Sequence, residues 1–161
     1  MMKIGLLGGS FNPAHQGHIH ISNLAVQKLG LNQVWWIPTA QNPLKEKTIT
    51  PFAERFAGCL EISKNHPKIR VKNFEKDSFF TYDLVQRIKK LYPQAQFYWI
   101  AGADILPQFH RWKNYKKLLK IIKFVIFSRN CKDKPRFIPT EFLIFKTKKY
   151  DISSSEIRNN S

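Results

Sequence analysis

Short apolar runs alternate with stretches of helical period along this chain, and that alternation restricts the fold more than any other feature of the sequence. Residues 3–7 (KIGLL) stop at Gly8-Gly9-Ser10, the pattern of a buried strand that ends in a tight turn. From His18 the apolar positions Ile21, Leu24, Ala25 and Leu29 keep helical spacing, and Gly30 stands where a C-cap glycine belongs. Residues 34–37 predict a second strand. Residues 38–50 (PTAQNPLKEKTIT) read as a loop, and Thr50-Pro51 before FAERFAGCLEI predicts a capped helix with Pro at its first position. Ile69, Val71 and Phe74 predict a third strand, and residues 82–91 a helix stopped by Pro93. A fourth strand at 97–100 runs into Ala101-Gly102-Ala103-Asp104, followed by a short helix at 115–120 and a fifth strand at 124–127. Strands alternating with helices require parallel pairing and right-handed crossovers. The expected fold is therefore α/β, a doubly wound parallel sheet whose ligand crevice lies at the carboxyl ends of the strands.

The length of 161 residues suits one core, and no internal repeat, low-complexity tract or interdomain linker interrupts it, so residues 1–161 are expected to form a single domain. Wholesale disorder is excluded by an apolar content of 43% that includes thirteen Phe, four Trp and five Tyr. No apolar run reaches the roughly twenty residues of a membrane span, and Met1-Met2-Lys3 leads straight into a strand without a cleavage site. The sequence reads as soluble, unprocessed and without a membrane partner. Cys59 and Cys131 lie far apart with no C-x-x-C spacing, which places the chain in a reducing cytoplasm. Twenty-seven Lys and Arg against eleven acids give +16, a balance that suits a nucleotide, a nucleic acid or an anionic lipid without choosing among them. Most of that charge is Lys spread along the chain, the pattern of a solvated surface.

The chemistry concentrates in Gly8-Gly9-Ser10-Phe11-Asn12-Pro13-Ala14-His15-Gln16-Gly17-His18, between the first strand and the first helix. Glycines let a phosphate approach the backbone, and a helix start offers unpaired N–H donors at the positive end of its dipole. Neither a Walker A loop nor G-x-G-x-x-G is present. His15 and His18 are instead three residues apart, a spacing that aims two imidazoles at one point. The alternative is a tight turn in which both rings cap backbone groups. A zinc site of His15, His18 and His20 is disfavoured, because His20 projects nearly opposite His18 and no acidic or thiolate ligand stands nearby. No protein-held metal is expected.

GGSFNPAHQGH resembles the ATP signature of the nucleotidylyltransferase superfamily, and Ile152-Ser153-Ser154-Ser155-Glu156-Ile157-Arg158 resembles its second signature, I-S-S-[ST]-x-I-R. The resemblance implies a Rossmann-like nucleotidyltransferase fold in which His15 and His18 face the α-phosphate of ATP. It also implies that Gly8, Gly9, Ser10, Phe11, Gly102 and Asp104 belong to the ATP site. A Ser cluster opening a helix supplies donors and Arg158 a forked cation, so Ser154, Ser155 and Arg158 are assigned to the outer phosphates. Read alone, the serine box is an ordinary helix cap. Relatives continue past this box whereas the sequence ends at Ser161, and the helix carrying Arg158 is expected to fray.

Three central stretches resemble the nicotinate-nucleotide adenylyltransferases of that superfamily. Ile37-Pro38-Thr39-Ala40-Gln41-Asn42-Pro43-Leu44-Lys45 is similar to their loop after the second strand, implying phosphate contact by Lys45 and acceptor contact by Asn42. Phe80-Thr81-Tyr82-Asp83 is similar to their S-Y-T-x-D-T element, with Phe80 in place of Tyr and Leu84 in place of Thr. Gly102-Ala103-Asp104 followed by Trp112 is similar to their G-A-D and W segment, where the Trp stacks on the pyridine ring. A flat pyridine with a carboxylate calls for an aromatic plate and N–H donors, and Trp112 and the backbone around Thr81 fit that need. Asp104, just past a strand end, is placed to accept from ribose hydroxyls.

The implied reaction transfers AMP from ATP to nicotinate mononucleotide, with His18, His15 and Lys45 as catalytic groups and Mg²⁺ carried by ATP. The substrates are the expected partners; self-association into a homo-oligomer is left open. The rivals are a phosphopantetheine or nicotinamide mononucleotide transferase, or a non-enzymatic nucleic-acid binder built on the basic stretch 113–123 (KNYKKLLKIIK). That stretch also fits an amphipathic surface helix with Leu118, Leu119, Ile121 and Ile122 inward, and no nucleic-acid module accompanies it, so a nucleic-acid partner is not expected.

Overall fold

The structure, a computed structural model, describes residues 1–40, 50–128 and 141–147. Among these residues six strands form one sheet: β1 (Lys3–Gly9), β2 (Gln33–Pro38), β3 (Ile69–Val71), β4 (Gln96–Gly102), β5 (Lys123–Ser128) and β6 (Phe142–Lys146). Among the described residues four α-helices accompany it: α1 (Gln16–Leu29), α2 (Phe52–Ser63), α3 (Thr81–Leu91) and α4 (Tyr115–Ile121). The spatial order is β3-β2-β1-β4-β5-β6 and each pairing is parallel. This is the doubly wound, Rossmann-like arrangement. Successive connections run one way from β1 to β3 and the other way from β4 to β6, so the order reverses between β1 and β4. The carboxyl ends of those two strands, Gly9 and Gly102, bound the crevice where such sheets bind ligands.

The strands are apolar on both faces because helices cover both. Ile4, Leu6, Trp35, Ile37, Phe97, Trp99, Phe124 and Ile126 pack with α3 and α4, whereas Leu7, Val34, Trp36, Ile100, Val125 and Phe127 pack with α1 and α2. In α1 the small residues Gly17, Ser22 and Ala25 reach the sheet, with Ile21, Leu24 and Leu29 half-buried beside them. Gly30 closes α1 at φ 65°, ψ 42°, a left-handed cap that an L side chain would strain.

Four differences from the sequence reading have physical causes. Pro51 is the N-cap of α2 rather than its first residue, and the backbone carbonyl of Thr50 accepts from Arg55. β3 stops at Val71, and Phe74 leads into a 3-10 turn at Glu75–Asp77. A second 3-10 helix, Ala103–Arg111, follows β4 and contains Pro107, which lacks an N–H for the α-helical ladder. β6 was not anticipated; it is held to β5 by Phe142 stacked on Phe124 and Phe145 on Phe127, with centroids 5.2 and 5.7 Å apart. In α4, Leu118 is buried and Leu119 and Ile121 half-buried, while buried Ile122 is already the C-cap.

Candidate active site

The turn after β1 is built by strain and by packing. Phe11 adopts φ 49°, a left-handed conformation that costs a non-glycine residue about 1–3 kcal/mol. Its ring is 1% exposed and lies 4.5 Å from the His18 ring and 5.2 Å from that of Trp36, contacts that offset the strain. Gly8 has a steric reason as well as the phosphate one: a Cβ there would lie 2.6 Å from Cη2 of Trp99.

The two imidazoles form a reciprocal capping box at the start of α1. His15 is the N-cap and its Nδ1 accepts from the Gly17 N–H at 3.0 Å, while Nδ1 of His18 accepts from the His15 N–H at 3.0 Å. The ring centroids are 4.0 Å apart. A neutral imidazole accepting at Nδ1 carries its proton on Nε2, so this network assigns both rings as Nε2–H donors. Capping through Nδ1 is compatible with donation through Nε2, so the two readings posed from the sequence do not exclude one another. His20 does not join them, and its Nε2 is buried without a hydrogen-bond partner among the described residues. No three His, Cys, Asp or Glu side chains among the described residues converge as a metal site.

α1 is tied to the sheet beneath this turn. Nε1 of buried Trp36 donates to Ser22 Oγ at 2.8 Å, and that hydroxyl donates to the His18 carbonyl at 2.8 Å. Sequence reasoning passed over Ser22. It also passed over Arg55 in α2, which is 4% exposed and, among the described residues, donates only to backbone carbonyls, those of Ser10, Thr39, Ala40 and Thr50. A signal was available, because Arg55 shares an i, i+4 stripe with Cys59 and Ser63, and all three are buried. Desolvation lowers the Arg55 pKa below the ordinary guanidinium value, with Cys59 and Glu75 opposing. Burial likewise pushes the Cys59 thiol up to about 12, which keeps it protonated and unreactive at neutral pH.

A cavity of about 200 Å³ opens beside the turn. Its lining includes Gly8, Gly9, Ser10, Thr39, Thr81, Trp99, Ala101 and Trp112. Trp112 is half-buried, its ring 5.2 Å from Phe109 and 6.2 Å from Phe124. Arg111 and Lys113 add positive charge to the same wall. Lys113 Nζ is 2.9 Å from Asp83 Oδ2 and 5.0 Å from the centroid of Phe80, whose ring also lines the cavity. His15 and His18 are half-buried on the α1 side of the turn, and Asp104 is exposed just beyond Gly102; none of the three lines this cavity. Asn42, Lys45, Ser154, Ser155 and Arg158 lie outside the described residues.

Residues 6–160 match the family model described as cytidylyltransferase-like. A probable nicotinate-nucleotide adenylyltransferase from Ruegeria sp. strain TM1040 is 39% identical over 130 residues, which cover 80% of this chain and 68% of that protein. The chain belongs to the cytidylyltransferase-like family, among its nicotinate-nucleotide adenylyltransferases. A relative of the same name from Methylorubrum extorquens strain PA1 is 40% identical over 131 residues, covering 80% of this chain and 70% of that protein. Among solved structures, the nicotinic acid mononucleotide adenylyltransferase of Plasmodium falciparum complexed with NaAD superposes with a TM-score of 0.80 at 25% identity. That match covers 99% of this chain and 83% of that one. Membership in this family accounts for the fold.

Proposed function

We infer that the protein transfers the adenylyl group of ATP to nicotinate mononucleotide, releasing pyrophosphate and forming nicotinate adenine dinucleotide, a step of NAD biosynthesis. The observation that carries this reading is one cavity lined both by Gly8 and Gly9 at the end of β1 and by Trp112. The glycine backbone suits a phosphate chain and the indole a flat aromatic ring. Relatives named for this activity, and a structural neighbour holding the dinucleotide product, support the same choice.

In the reaction an oxygen of the acceptor phosphate bonds to the α-phosphorus of ATP, and the bond from that phosphorus to the bridging oxygen of the β-phosphate breaks. The electron pair leaves with pyrophosphate. No enzyme-bound intermediate is required, so the protein's part is alignment and stabilisation of charge. His18 and His15 act as Nε2–H donors toward the α-phosphate, and the N–H groups of Ser10 and Phe11, just past Gly8 and Gly9 at the end of β1, receive the neighbouring oxygens. Gly102 and Asp104 receive the adenosine side, with Asp104 on ribose hydroxyls. Thr81 and Trp112 hold the pyridine, and the cations Arg111 and Lys113 favour a carboxylate over an amide there. Asn42 and Lys45 are assigned to the acceptor and its phosphate, and Ser154, Ser155 and Arg158 to the outer phosphates of ATP. Mg²⁺ enters as the ATP complex, keeping most of its waters.

No helix among the described residues is long and apolar enough to cross a membrane, and buried Cys59 is a free thiol. Both features suit a cytoplasmic enzyme acting on small nucleotides. The deciding experiment incubates the protein with Mg²⁺, ATP and, separately, nicotinate mononucleotide, nicotinamide mononucleotide or phosphopantetheine, and follows pyrophosphate. Release dependent on nicotinate mononucleotide is expected. Release with only one of the other acceptors, or with none, refutes the assignment.

A further inference from the structure

We propose that Arg55 is a positioning residue for ATP: its guanidinium, anchored in α2, sets the direction of the N–H groups in the glycine turn. The proposal rests on the adenylyl-transfer reading. Nη1 donates to the carbonyls of Ser10 and Thr39, both at 2.8 Å, Nη2 to Ala40 at 3.3 Å, and Nε to Thr50 at 3.0 Å. One planar fork thus holds the end of the β1 turn, the end of β2 and the approach to α2. Among the described residues no carboxylate forms an ion pair with it. A buried cation without an ion-pair partner is retained only where its hydrogen bonds are well satisfied, and here all of those described fasten backbone, two of them, to Ser10 and Thr39, at residues that line the cavity.

The consequence for the turn follows from peptide geometry. The C=O and N–H of a trans peptide point in opposite directions, so fixing the Ser10 carbonyl fixes the Phe11 N–H. The preceding peptide is fixed in the same way, because Gly9 O accepts from Thr39 N at 2.9 Å and from Thr39 Oγ1 at 3.2 Å, which sets the Ser10 N–H. Two successive donors of the anion-binding turn therefore take their direction from the end of β2, and Arg55 binds that end to the turn. Phe11 at φ 49° makes this support necessary, since the strained residue follows directly on the clamped carbonyl. A lysine ammonium is a single point and cannot span carbonyls from three segments.

The test measures binding before chemistry. Arg55→Lys keeps a charge and loses the fork; Arg55→Ala removes both and leaves room for added methylguanidinium. Folding is checked by far-UV dichroism and thermal melting, and the affinities for Mg²⁺–ATP and for nicotinate mononucleotide are then titrated separately. We expect Arg55→Lys to fold and to bind ATP at least about tenfold more weakly, with acceptor affinity changed less than about threefold. KM for ATP should rise in parallel, and methylguanidinium should recover ATP binding in Arg55→Ala. Folded variants that bind ATP as the unaltered protein does, equal weakening for both ligands, or failure of both variants to fold would each overturn the proposal, the last by making Arg55 a general support of the fold. Unaltered protein that binds ATP but releases no pyrophosphate refutes the functional reading, and the ATP titration still decides the role of Arg55.

Discussion

At the scale of single residues, His15 and His18 cap the start of α1, and the proposed mechanism gives each ring a second duty as a phosphate donor that substitutions can separate. Alanine at His18 removes both the cap and the donor. Glutamine is itself a capping-box residue at that helix position, so His18→Gln retains the cap and loses only the imidazole. We expect His18→Ala to lower kcat by roughly 10²-fold or more and to lose about 1 kcal/mol of stability. His18→Gln should show a comparable fall in kcat with an unchanged melting temperature, and near-normal turnover in the glutamine variant would mean that His18 is a cap and nothing more. Trp112 calls for a different measurement, because it is both cavity wall and packing partner of Phe109 and Phe124. Losing a stacking plate is worth about 0.5–1.5 kcal/mol, so Trp112→Ala should raise KM for the mononucleotide roughly two- to tenfold while KM for ATP changes less. Equal rises in the two constants would remove Trp112 from the pyridine subsite.

At the scale of elements, what the sequence discloses is what a local window contains. The strand at KIGLL, the helix closed by Gly30 and the apolar runs at 97–100 and 124–127 carry their own periodicity and punctuation, and they fold where that reading places them. β6 does not announce itself, because its identity depends on Phe142 and Phe145 meeting Phe124 and Phe127 across the sheet. The candidate site divides the same way. The glycine turn, Thr81 and Trp112 were legible as motifs, whereas Arg55 and Ser22 act through backbone carbonyls that only the folded chain brings near. Ser22 allows this to be measured. Trp36 is 0% exposed and Ser22 Oγ is its acceptor, so Ser22→Ala strands a buried N–H and also cuts the link to the His18 carbonyl. An orphaned buried donor costs about 1–3 kcal/mol, and urea unfolding should find a loss of that size. Wild-type stability would show that the indole finds another acceptor and that the relay does not hold α1 in place.

At the scale of the whole molecule, the charge of +16 affects stability and catalysis in opposite directions. The described ion pairs, Lys64 with Glu61 and Lys113 with Asp83, are exposed and offset little of the repulsion among so many cations. Self-repulsion weakens the compact state, and added salt screens it, so the melting temperature should rise as KCl goes from low to moderate concentration. The same field draws anionic nucleotides toward a crevice bordered by Arg111 and Lys113, and screening weakens that attraction. Over the same salt series kcat/KM for ATP and for the mononucleotide should therefore fall, with kcat nearly constant. A nucleic-acid binder predicts another pattern, in which RNA or DNA fragments bind tightly at low salt, lose affinity steeply with ionic strength and compete with ATP turnover. Opposite salt trends in melting temperature and kcat/KM, with no such competition, would assign the charge to nucleotide capture. Flat kcat/KM across the series would reduce it to a solvated surface and leave recognition to the groups that line the cavity.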